Sequence, residues 1–104
     1  LDGETLAEGL EGGIAEGAFR RAKDALSGAL VVDEPALRRA LAFSHRTLGV
    51  PIEGSAATVL VPCLAEPSEL VQLGQLGEAL QSAEKTVVAV LTGRNIDTEK
   101  ARLL

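Results

Sequence analysis

The chain has 104 residues, enough for one domain at most. Its net charge is −5 and no basic cluster is interleaved with aromatic residues, which argues against nucleic-acid binding. A single cysteine excludes an internal disulfide and a multi-cysteine metal site, and no apolar run is long enough to cross a bilayer. We therefore expect a soluble, cytoplasmic protein with no metal site and no nucleic-acid or membrane partner.

The first part of the chain, residues 1–18, is rich in glycine and is predicted to be a loop. Leu6, Leu10 and Ile14 are spaced by four residues, so one side of this loop could be buried if the segment docks. The next residues, 18–26, have helical character that ends before Gly28. Residues 29–32, ALVV, are a short strand candidate.

A helix is predicted over residues 34–48. Asp33 is a good N-cap, and an acid and a proline follow in the first turn, where both are favoured. Gly49 is the expected C-cap. The expected inner face consists of Leu37, Ala40, Leu41, Ser44 and Leu48. The only histidine, His45, is expected at the surface or the edge of this helix.

Two further helices are predicted, over residues 56–66 and 68–83. The first is apolar nearly all round, so Val59, Leu60, Val61 and Leu64 should be buried, with Cys63 as a small apolar residue among them. Pro62 should kink this helix or mark its end. In the second, two glycines lower the helix propensity, and close packing against a neighbour would explain them. These are Gly74 and Gly77.

The strongest strand signal lies at residues 86–91, an uncharged aliphatic run of the kind found in strands covered on both faces. A polar turn, Thr92 to Asn95, follows it, and ligands in open α/β sheets bind outside the carboxyl ends of strands. Two strands make a poor sheet by themselves. The sequence therefore predicts an α/β fold, a partial three-layer αβα unit with parallel strands that belongs to a larger sheet.

Four segments, in order along nearly the whole chain, resemble the carboxyl-terminal third of the threonine dehydratase and serine racemase family. This family consists of pyridoxal-phosphate enzymes of the tryptophan synthase β type, or fold type II. TLAEGL resembles the family's TIADGL loop, with Glu8 in place of Asp, and VVDE resembles a strand-to-helix junction. EGSAA, from Glu53, resembles a helix start of the family, and VLTGRNID resembles VLSGGNID, with Arg94 in place of a glycine.

The resemblance implies a role for several residues of the chain. Thr92 would bind the pyridine nitrogen of pyridoxal 5'-phosphate, within a cofactor-contacting set of Thr92, Gly93, Asn95 and Glu53. Glu8 and Gly9 would lie on the substrate side. The implied activity is that of an amino acid dehydratase, a lyase of amino acid metabolism that converts threonine or serine to a 2-oxo acid and ammonia. From the residues alone, the favoured interpretation of Glu53 is a carboxylate near a helix N-terminus.

The family's Schiff-base lysine and phosphate-binding loop precede the region of resemblance and have no counterpart here. Lys23, Lys85 and Lys100 do not match the context of that lysine. We therefore expect a fragment without catalytic residues of its own, whose partners are the lysine-bearing amino-terminal part and a small hydroxy amino acid, and which can form a homodimer. The alternative is a non-catalytic α/β interaction module or a decayed fragment of the same fold.

Overall fold

The structure, a computed structural model, describes residues 4–94 and 96. Its α-helices are α1 (Glu16–Ala25), α2 (Glu34–Phe43), α3 (Gly54–Ala57), α4 (Pro67–Leu70) and α5 (Gln75–Gln81). Shorter 3₁₀ turns are at Glu8–Leu10, Thr58–Leu60, Pro62–Leu64 and Val71–Leu73, and a π-helical turn, Ser44–Leu48, continues α2. Within residues 4–94 and 96, no helix is both long enough and apolar enough to span a membrane.

The predicted α/β fold with parallel strands is wrong, because the described residues contain helices and no strand. Both strand candidates, residues 29–32 and 86–91, lie outside regular structure. Val31 and Val88 are exposed, at 102% and 77%, so neither segment is covered on both faces. A strand needs a neighbour for its backbone hydrogen bonds, and an aliphatic run alone does not supply one.

The helix predicted over residues 34–48 is confirmed, with its caps. The Asp33 side chain accepts a hydrogen bond from the Ala36 amide at 2.8 Å, and Gly49 ends the helix at φ 68°. Four of the five predicted inner residues are buried, but Leu48 is 46% exposed. The last turn is π-helical, and its wider spacing turns Leu48 away from the face that contains Ser44.

The segment predicted as one helix over residues 56–66 is divided into short pieces. It begins as α3, continues as the 3₁₀ turn Thr58–Leu60, and breaks at Pro62, where a second 3₁₀ turn starts. Leu60 is buried, as expected. Val59, Leu64 and Cys63 are exposed, which corrects the prediction of burial all round. Because short turns replace a continuous helix, these side chains face solvent.

The segment predicted as a helix over residues 68–83 is divided at Gly74, which has φ 58°. The two pieces, α4 and α5, fold back on each other, so that the backbone of Gly77 lies against that of Leu70. A Cβ atom at position 77 would come within 2.8 Å of the Leu70 carbonyl carbon. Close packing therefore explains Gly77, and the turn explains Gly74.

The main core lies between α2, α3 and the loop before Glu8, and consists largely of small and aliphatic residues. Its buried members are Ala7, Leu37, Ala40, Leu41, Ile52, Ala56, Ala57 and Leu60. Ala89, Leu91 and Ile96 pack on its edge, which brings the last described residues back to α3. Helix α1 contributes no buried residue, and Leu10 and Ile14 are exposed, so the predicted burial on one side of the first loop is limited to Leu6 and Ala7.

Candidate functional site

The candidate site is organised around the turn that starts α3. Ile52 is fully buried and fixes the chain just before Glu53, whose extended backbone (φ −75°, ψ 160°) leads into the helix at Gly54. The Glu53 side chain is half-buried. The position predicted for a cofactor contact is therefore held firmly by the core, with the carboxylate at its edge.

Gly93 lies directly on Glu53. The Glu53 amide donates a hydrogen bond to the Gly93 carbonyl oxygen at 3.1 Å. Gly93 has φ 56°, and a Cβ atom at this position would be 2.5 Å from the Glu53 carboxyl carbon. The left-handed backbone favours glycine here, and an added Cβ atom would also displace the Glu53 side chain. Residues forty positions apart in sequence thus form one contact.

The loop of residues 5–9 packs on the other side of the same turn. The backbone of Gly54 touches that of Leu6, so that a Cβ atom on Gly54 would lie 2.5 Å from the Leu6 carbonyl carbon. Gly9 lies beside Ser55, where a Cβ atom would be 2.8 Å from the Ser55 hydroxyl oxygen. Two of the four segments that carry the family resemblance therefore meet at α3.

The VVDE segment joins the same cluster through Glu34. Its carboxylate accepts a hydrogen bond from the Thr5 hydroxyl and another from the Leu6 amide, the latter at 3.0 Å. The Thr5 hydroxyl bond and then the Leu6 amide bond hold the pKa of Glu34 below its usual value. Desolvation opposes them, and the Arg38 charge adds a lesser lowering effect. The four resembling segments are thus linked by successive contacts: VVDE contacts TLAEGL, TLAEGL contacts EGSAA, and EGSAA contacts VLTGRNID.

An open cleft of about 650 Å³ borders this cluster on the side of Glu8. Its charged lining residues are Glu4, Glu8, Glu11, Glu34 and Arg38. The cleft is therefore predominantly acidic and favours cationic groups over anions such as phosphate. In residues 4–94 and 96, no group of three or more His, Cys, Asp or Glu side chains is placed to hold a metal ion.

The remaining predicted residues lie at the end of the described chain. Thr92 and Arg94 are exposed next to Gly93, and Asn95 lies outside the described residues. Thr92 does not follow a strand, since residues 86–91 are irregular. Ile96 packs on the core, and its amide donates to the Arg94 carbonyl at 2.9 Å. The Thr92 hydroxyl is thus accessible beside the contact between Gly93 and Glu53.

Sequence reasoning missed two side chains that hold this region. Glu34 was interpreted as a helix-start carboxylate, and its contacts with Thr5 and Leu6 are not predictable from local pattern. His45 does lie at the edge of its helix, half-buried, and its Nε2 donates to the Ile52 carbonyl oxygen at 3.0 Å. The available signal was the position of His45 about one turn before the C-cap Gly49, since a histidine near the end of a helix can hydrogen-bond backbone carbonyls there.

Comparisons of the chain with family models, with curated proteins and with solved structures find no match.

Proposed function

We propose that this chain supplies part of the pyridoxal-phosphate site of an amino acid dehydratase acting on threonine or serine by β-elimination. The observation that supports this proposal is the meeting of the predicted residues around one turn: Gly9 beside Ser55, and Gly93 on Glu53. Gly9, Glu53 and Gly93 are distant in sequence, and the resemblance assigns all three to the site. A chance set of loop residues has no reason to converge on a single helix start.

Each residue has a distinct task in the proposed site. The Thr92 hydroxyl would donate a hydrogen bond to the pyridine nitrogen, and Gly93 and Glu53 would border the ring. Asn95, which the resemblance assigns to the same set, lies outside the described residues. When bound, pyridoxal phosphate supplies an electron sink for the bond-breaking step. A neutral hydroxyl group does not keep the ring nitrogen protonated, so the ring is a weaker electron sink. Such a sink suits elimination from a hydroxy amino acid. Glu8 and Gly9 lie towards the substrate.

The described residues fit the ring of the cofactor better than its phosphate. The exposed Thr92 hydroxyl is a suitable donor, and the Glu53 carboxylate lies next to it, against Gly93. The acidic cleft beside Glu8 does not suit a phosphate group. The proposal therefore includes a lysine-bearing amino-terminal polypeptide as the partner that binds the phosphate and forms the Schiff base, in the cytoplasm, with the assembly free to dimerise.

Cofactor binding tests the proposal directly. The chain is mixed with pyridoxal phosphate, alone and with the lysine-bearing part of a threonine dehydratase, and absorbance is followed before and after borohydride reduction. We expect a reducible adduct only with the partner, located by mass spectrometry on the partner's lysine. A stable single-site adduct on the chain alone would contradict the proposal that the partner supplies the Schiff-base lysine.

A matched pair of variants assigns the contact to Thr92. In the partnered sample, Thr92→Val should shift the cofactor absorbance and weaken cofactor binding, because the ring nitrogen loses its donor. Thr47→Val changes an exposed threonine of the π-helical turn and should leave both unchanged. Equal spectra for the two variants would remove Thr92 from the site.

The second candidate function is a non-catalytic interaction module, and the exposed aliphatic side chains favour it. Val31, Val71, Val88 and Val90 are between 64% and 102% exposed. Val88 and Val90 lie two residues apart in one irregular segment, and a contiguous exposed apolar patch commonly marks a contact with another protein. If the partnered chain associates but never binds pyridoxal phosphate in the experiment above, this candidate replaces the dehydratase.

A further inference from the structure

Glu34 connects α2 to the loop that packs on α3. Its two carboxylate oxygens are used separately: Oε1 accepts from the Thr5 hydroxyl, and Oε2 accepts from the Leu6 amide at 3.0 Å. The Thr5 hydroxyl oxygen in turn accepts from the Ala7 amide at 3.1 Å. One side chain thus orders three consecutive residues of the loop.

The loop so ordered is the one that contacts the candidate site. Its Leu6 carbonyl lies against Gly54, its Ala7 side chain is buried in the core, and Gly9 lies beside Ser55. Beyond these contacts the segment gains little burial, since Leu10 is 58% exposed. The position of Glu8 and Gly9 relative to Glu53 therefore depends in part on a carboxylate outside the predicted site.

We propose that Glu34 is a positioning residue, whose ionised carboxylate holds residues 5–9 against the turn at Glu53–Ser55, and that protonation of this carboxylate releases the loop. The inference concerns the chain's own residues and does not depend on cofactor binding. A protonated carboxyl group loses the charge that strengthens both hydrogen bonds, and one of its oxygens becomes a donor. Ionisation therefore controls the order of the loop.

The charges around Glu34 act in both directions. On its own helix and cap these are Arg38 and Asp33, and from the loop and cleft they are Glu4, Glu8 and Glu11. The neighbouring acids oppose ionisation, whereas Arg38 and the N-terminus of α2 favour it. The hydrogen bonds from the Thr5 hydroxyl and then the Leu6 amide have the largest effect and keep the pKa of Glu34 below that of an ordinary glutamate, so release is expected only below about pH 4.3.

Amide measurements on the unmodified chain test the proposal first. The Leu6 amide proton should titrate with a midpoint below the ordinary glutamate value of about 4.3, and protection of Ala7 and Leu10 amides should fall through the same range, after correction for intrinsic exchange. A Leu6 amide shift that does not change through this range would overturn the proposal. Because this test uses the unmodified chain, its result does not depend on whether a variant folds.

The Glu34→Gln variant then assigns the titration. It should abolish the Leu6 titration and raise exchange of residues 5–10 about threefold or more at neutral pH, with little change in α2. Glu78→Gln, an exposed carboxylate in the first turn of α5, is the matched control and should leave the loop unchanged. Persistence of the Leu6 titration in Glu34→Gln, or the same loss in Glu78→Gln, would show that another group orders the loop.

Discussion

The Gly93 backbone rests on the Glu53 side chain, and the Gly93 carbonyl oxygen accepts a hydrogen bond from the Glu53 amide at 3.1 Å. This contact returns the end of the described chain to the start of α3. It also places the exposed Thr92 beside a half-buried carboxylate. The candidate site therefore forms only when the end of the described chain packs against the start of α3, and this packing depends on glycine at position 93.

Gly93→Ala should lower the free energy of unfolding by about 1–3 kcal/mol, because alanine is strained at φ 56° and its Cβ atom meets the Glu53 side chain. Urea unfolding followed by circular dichroism measures the change. Gly12→Ala is the control, since a Cβ atom there meets nothing within 4 Å, and it should stay within about 0.5 kcal/mol of the parent. Equal stability of the two variants would mean that Gly93 does not rest on Glu53.

Gly54→Ala should destabilise the chain by about 1–3 kcal/mol, near the upper end, because the added Cβ atom meets the Leu6 backbone rather than a flexible side chain. Hydrogen exchange should show the loop of residues 5–10 opening first. Gly17→Ala, in the first turn of α1 with open space around it, should instead be neutral or stabilising by about 0.5–1 kcal/mol. A tolerated alanine at position 54 would contradict the packing of the loop on α3.

Ser44→Ala should cost about 1–2 kcal/mol, because the fully buried Ser44 hydroxyl donates to the Val50 carbonyl oxygen at 2.7 Å and its removal leaves that acceptor without this donor. The free energy of unfolding from urea titrations measures the effect. Ser68→Ala, an exposed serine of α4, is the control and should change stability little. A neutral Ser44→Ala would show that solvent replaces the hydroxyl.

The stability of the chain should depend on pH through Glu34. Its pKa is lowered in the folded state, mainly by the Thr5 hydroxyl bond, so its contribution is present above the unfolded-state value of about 4.3 and is lost as pH falls through the folded value. The parent should therefore be more stable than Glu34→Gln at neutral pH, and the difference should shrink at about pH 3. A difference that is constant from pH 7 to pH 3 would exclude ionisation as its source.

Local signals were sufficient to predict α2. Asp33, the proline after Glu34 and Gly49 act within a few residues of their own positions, and the observed caps are the predicted ones. The break at Pro62 was predicted for the same reason. A cap or a helix breaker needs only its neighbours in sequence, so its effect can be read without knowledge of the fold.

The irregular structure of residues 86–91, where the sequence predicts a strand, was not predictable in this way. An apolar run shows that side chains favour burial, but a strand also requires a neighbouring strand to satisfy its backbone. Here Ala89 and Leu91 pack on the helical core while Val88 and Val90 remain exposed. The same limitation applies to Val59 and Leu64, whose burial depended on a continuous helix that Pro62 and the 3₁₀ turns interrupt.

The sequence by itself determined where helix α2 begins, that Gly49 ends the helical segment, and that Pro62 breaks the chain, because these are effects of covalent geometry and nearest neighbours. Only the tertiary structure decided that the described chain builds its core from helices, that Glu34 orders the loop of residues 5–9, and that Gly9, Gly54 and Gly93 meet around Glu53. These outcomes depend on contacts between distant residues, whose free energy exists only when both partners are in place.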